Sequence, residues 1–135
     1  MDFIDMLQDK INSLPGLPVE CKQGYLGTEE SFVLYPLPGG RVVQEYMDGA
    51  TDEQLNYEIA MQSKLHSKIN NTLWSVQTEL EKLKELESKD NSFTFDEIIV
   101  VNKPFPINYT TQGFFAYAIN VQANITVFKE EKTYG

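Results

Sequence analysis

A chain of 135 residues with 41% hydrophobic and 23% charged content is one soluble globular domain by size and mix, long enough to bury a single core. Its net charge of -9, with Arg41 the one arginine among 11 cations, argues against a binder of nucleic acid or acidic membrane, which needs clustered Lys and Arg. No apolar run approaches the roughly 20 residues of a membrane helix, and the acidic opening Met1-Asp2-Phe3-Ile4-Asp5 lacks the positive charge and apolar run of a secretory signal.

In chain order, Asp2 to Leu14 reads as an amphipathic helix, since Phe3, Met6, Leu7, Ile11 and Leu14 recur at three- and four-residue steps. Asp2 and Asp5 suit the positive end of its dipole. Pro15-Gly16-Leu17-Pro18 stops it. Val19 to Gly24 reads as a short strand, and Gly27-Thr28-Glu29-Glu30 as a turn. Two extended runs, Ser31 to Leu37 and Arg41 to Met47, flank Pro38-Gly39-Gly40, which is punctuated like a hairpin turn. Val33, Tyr35 and Leu37 alternate with Phe32 and Leu34, the pattern of a strand buried on both faces. Asp48-Gly49-Ala50 ends the second run.

From Thr51 the signals conflict. Thr51-Asp52-Glu53-Gln54 matches a capping box, a helix start. Yet Leu55, Tyr57, Ile59 and Met61 alternate with Asn56, Glu58, Ala60 and Gln62, and a helix from here to Glu87 would be too long for a small domain. A strand over Gln54 to Met61 is the better reading, placed as a possible sheet edge open to pairing between subunits. Leu65 to Leu86 then gives the clearest helix. Ile69, Leu73, Val76, Leu80, Leu83 and Leu86 form one stripe, suited to packing across a sheet more than to a short coiled coil. After a polar loop, Ser88 to Ser92, Phe93 to Val101 reads as a strand and Asn102 to Thr111 as a proline-bearing loop.

The last element, Phe115 to Val127, has the strongest periodicity. Phe115, Tyr117, Ile119, Val121, Ala123, Ile125 and Val127 form one apolar face. Between them stand Ala116, Ala118, Asn120, Gln122, Asn124 and Thr126, a small and amide-rich face that suits a subunit contact as well as water. Strands that run consecutively between two helices give an α+β class with a largely antiparallel sheet.

Chemistry-bearing residues are sparse. His66 stands among Lys64, Lys68 and Asn70 near a helix start, exposed; Cys21 reads as an inert thiol, and as the single cysteine it leaves no internal disulfide. Zinc-type ligand pairs are absent, and no cofactor or metal is expected. Of the adjacent acids, Asp96 and Glu97 on an extended segment would point to opposite faces and so could not share a pocket. Candidate protein contacts are Gln54, Asn56 and Glu58 on one strand, Asn120, Gln122 and Asn124 on the last, and Pro104, Phe105, Ile107 and Tyr109 in the stiffened loop. The loop aromatics either touch a partner or tuck under their own sheet.

Asp2-Phe3-Ile4 opening a short helix, Gly39-Gly40-Arg41 before a strand, Tyr57-Glu58-Ile59 before the long helix and Gly113-Phe114-Phe115-Ala116-Tyr117 opening the final strand are shared features. With them the chain resembles the tail-terminator, or tail-completion, proteins of long-tailed bacteriophages, often filed as minor capsid proteins. The resemblance implies a non-enzymatic virion protein at the head–tail junction, assembled in the host bacterial cytoplasm. It implies a hexameric ring of this chain that caps the tail tube protein, ends polymerisation and docks to the head-completion or connector protein. DNA would pass the acidic lumen without specific binding. A head–tail connector or neck subunit is the alternative, and a small ligand-binding module or hydrolase built on carboxylates a further one.

Overall fold

The computed structural model describes residues 2–109 and 113–128, with the backbone alone at 108 and 109. Helix α1 spans Phe3–Asn12 and α2 spans His66–Lys82; the strands are β1 (Cys21–Gln23), β2 (Ser31–Glu45), β3 (Thr51–Ser63), β4 (Phe93–Tyr109) and β5 (Phe115–Val127). They form one sheet in the order β1-β2-β3-β5-β4. Among the described residues only the β1–β2 pair is parallel. The α+β class with a mostly antiparallel sheet is therefore observed. β3 and β4 run the same way with β5 between them, and α2 makes the crossover.

Both helices lie on one face of the sheet. Phe3, Met6, Leu7 and Ile11 of α1 and Ile69, Leu73, Val76 and Leu80 of α2 share one buried cluster with Phe32, Leu34, Tyr57, Ile59, Met61, Ile119, Val121 and Ile125. The period-two alternation of β3 and β5 and the helical stripes thus meet across a single layer. Phe3 sits at the centre of an aromatic group, 5.5 Å from the Tyr57 ring and 5.3 Å, edge-on, from Phe93. Asp2 does not cap its own helix; its carboxylate accepts from the Ser88 hydroxyl (2.7 Å) and the Lys89 amide (2.8 Å), tying the segment after α2 to the start of α1. Leu83 and Leu86 pack against the core although the helix ends at Lys82, where the chain turns extended.

Several expectations change here. Pro38-Gly39-Gly40 is a bulge and not a turn: the register passes from Leu37↔Asn56 to Arg41↔Gln54, so three residues oppose Leu55. Gly39 has φ +97°, and a Cβ on Gly40 would lie 3.2 Å from the Gln54 carbonyl oxygen, which is why glycine serves both places. The two extended runs are one strand, and the turn falls at 46–50, where the Tyr46 amide donates to the Ala50 carbonyl. β3 is no edge, since it pairs with β2 on one side and β5 on the other. The expected loop from Asn102 is strand as far as Tyr109, accommodated by bulges around its prolines. The rest of that loop, 110–112, lies outside the described residues.

Cys21 is buried, and that burial, helped by the Glu20 charge, pushes its thiol up to about 12. A disulfide reagent at pH 8 is expected to label the native chain about 100-fold more slowly than the urea-unfolded chain, because the thiolate is the nucleophile. Equal rates would show the thiol to be accessible and ionised in the native state.

Candidate functional site

Among the described residues the second face of the sheet carries no helix. At one end Val33, Ala60 and Ala118 are buried with Leu26, Tyr35, Phe105 and Ile107 packed around them. Phe105, opposite Ala118, and Ile107 therefore lie partly buried against their own sheet; Pro104 and Pro106 beside them carry no backbone N–H to donate. The Tyr109 side chain lies outside what is described.

Away from this apolar end the face turns polar. The β3–β5 register pairs Glu58 with Asn120, Asn56 with Gln122 and Gln54 with Asn124. Six of the ten residues singled out in the sequence thus form a contiguous ladder, two strands wide and three rows long. β2 and β4 extend the rows with Tyr35 and Asn102, Leu37 and Ile99, and Arg41 and Glu97. All six are half-buried, and among the described residues no helix lies over them.

The ladder's hydrogen bonds run sideways. The Gln122 amide donates to Asn56 Oδ1 (3.4 Å), the Asn56 amide to the Pro38 carbonyl (3.3 Å), the Asn124 amide to Glu97 Oε1 (3.0 Å), and Arg41 Nε to Gln54 Oε1 (3.2 Å). Asn120 Oδ1 is buried with no donor among the described residues. An amide oxygen without a donor is costly, so this one is a place where a partner's N–H would add stability. Burial also raises the Glu58 carboxyl above its usual range. A raised carboxyl favours folding below its unfolded pKa, and that contribution is lost as pH rises through the folded value. Glu58→Gln is therefore expected to raise the melting temperature of the isolated chain at pH 7 relative to wild type, and to change it less at pH 4. A lower melting temperature at pH 7 would reverse this account.

Beyond the ladder the face closes on a hydroxyl–carboxylate network. Tyr46 donates to Asp52 Oδ2 (2.6 Å) and Thr126 to Asp52 Oδ1 (2.7 Å), and these bonds, Tyr46 first, hold the Asp52 carboxyl below its ordinary value. Asp52 and Thr126 continue the two alternating series by one step each, so their place on this face was readable in the sequence; Arg41 was not, because the bulge before it resets the alternation. A second bulge, between Phe95 and Glu97, brings Asp96 and Glu97 to one open concavity with Asp52 and Glu53, against the expectation that they would part.

Elsewhere little chemistry is assembled. His66 is exposed, its Nε2 2.9 Å from the Tyr117 hydroxyl and its ring edge-on to Phe115 and Tyr117. Among the described residues no three His, Cys, Asp or Glu side chains are grouped to hold a metal ion, and no helix is long and apolar enough to cross a membrane. Among the described residues, the face opposite the helices is occupied chiefly by the amide ladder and the carboxylates beside it.

Residues 11–127, most of the chain, match the profile of a protein family described as bacteriophage tail terminator protein. No curated protein matches the chain.

Proposed function

Because the chain belongs to the bacteriophage tail terminator family and is thus a structural protein of the phage tail, we propose that its copies close into a hexameric ring at the head–tail junction. The ring caps the tail tube, stops its polymerisation and docks to the head connector. The match over residues 11–127 is the observation that carries this reading. The helix-free face supports it. Gln54, Asn56, Glu58, Asn120, Gln122 and Asn124 form the surface covered on assembly, with Pro104, Phe105, Ile107 and Tyr109 along its flank. Amides that already bond to one another need few donors from a partner, so such a face tolerates water before assembly and protein after it. The net charge of -9 suits a lumen that DNA crosses without adhering.

Deleting the gene from the phage tests the role. Tails that overrun their normal length in electron micrographs are the expected result. Tails of normal or shortened length that fail to join heads would overturn the capping role and assign the chain to the neck between capsid and tail.

A further inference from the structure

The two outer edges of the sheet are each left partly without a neighbour. β1 covers β2 only at Phe32–Leu34, and among the described residues no strand lies beyond Arg41–Glu45 or beyond β4. Unpaired backbone of this kind templates strand addition unless something blocks it. Prolines block part of each edge: Pro36 and Pro38 on β2, Pro104 and Pro106 on β4. The stretches they leave open are Arg41–Glu45 and Phe93–Val101, and neither contains a lysine. Instead they expose apolar side chains: Val42 and Val43 on β2, Ile99 and Val101 on β4, each at least 43% accessible.

The register relates these two stretches. Arg41 pairs with Gln54, Gln54 with Asn124, and Asn124 with Glu97, so the single arginine and a glutamate close opposite ends of one row. β2 and β4 run in opposite directions, as three successive antiparallel pairings require. Rotation about an axis lying near the strand direction keeps them antiparallel between neighbours and brings Arg41 of one copy level with Glu97 of the next. Among the described residues Arg41 makes its hydrogen bond to Gln54 and no ion pair, and Glu97 accepts from Asn124 alone.

We infer that a second copy of this chain docks edge to edge, Arg41–Glu45 of β2 pairing antiparallel with Phe93–Glu97 of the neighbour's β4, with Arg41 against Glu97 and Glu45 against Phe93. The inference rests on the ring reading and assigns its subunit contact. Because the two edges differ, the contact is head-to-tail and closes by rotation, as a ring requires. The amide ladder then runs as one continuous band around the ring.

Charge exchange tests it on the full chain, alone and mixed with purified tail tubes, by light scattering and electron microscopy. Arg41→Glu and Glu97→Arg each set like charges together and are expected to raise the concentration at half assembly about tenfold. The double variant R41E/E97R is expected to return it towards the wild-type value. Amide hydrogen exchange of the wild type needs no variant: residues 41–45 and 93–97 should gain protection on assembly. Rings that form with both stretches unprotected, or single variants that assemble like the wild type, would overturn the edge contact and leave the ring reading standing. Wild-type chain that forms no ring, in solution or on tubes, would overturn both.

Discussion

Phe3→Ala is expected to cost about 3–5 kcal/mol of folding stability, the usual loss for a large buried aromatic that leaves a cavity. Phe3 is fully buried between Tyr57 on the sheet and Phe93 at the start of β4, so its ring joins α1, β3 and β4 at one point. Truncation also loosens the hold of α1, whose Asp2 secures the segment that leads from α2 into β4. Against a total of about 5–15 kcal/mol for a domain of this kind, the loss is large. Thermal melting followed by circular dichroism should show a midpoint lowered by about 10 °C. Phe3→Leu, which keeps most of the volume, should lose much less. A shift under 2 °C for the alanine variant would mean that α1 is not part of the cooperative unit, and that the core is carried by residues 11–127 alone.

Gln122→Arg is expected to leave the fold intact and abolish capping. Gln122 lies at the middle of the amide ladder, half-buried, facing away from the helices and bonded to Asn56. An arginine there can swing outward, so the isolated chain should melt within a degree or two of wild type. A charge at the centre of a covered surface is different, because it must be desolvated or clash; a loss of about tenfold or more in capping is expected. The measurement is the length distribution of tails from phage carrying the variant: over-long tails are the expected result. Asn71→Arg, on the exposed side of α2, is the control and should leave tails normal. Normal tails from Gln122→Arg would remove the amide ladder from the contact surface.

What was legible in the chain was the local alternation. β5 runs over the residues its periodicity marked, and the four apolar positions of α1 and the first four of the α2 stripe are buried as spaced. The amide face was readable as a composition but not as a ladder. The pairing of Glu58 with Asn120, or Asn56 with Gln122, depends on which residues of two strands 50 residues and more apart fall opposite each other. Likewise the capping-box signal at Thr51 lost to β3, because a strand there gains two neighbours while a helix would bury only one stripe.

Taken by itself, the order of residues determined which side chains share a face, where apolar stripes begin and end, and that the sum is a sheet with two helices. These follow from dihedral geometry that each residue meets within a few neighbours. The tertiary structure alone decided that β3 is central, that Pro38-Gly39-Gly40 bulges instead of turning, that the proline-bearing segment becomes an edge strand, and that Arg41 and Glu97 end one row. Backbone hydrogen bonds are chemically alike along the whole chain, so strand order and register are chosen only when every strand competes for the same core at once.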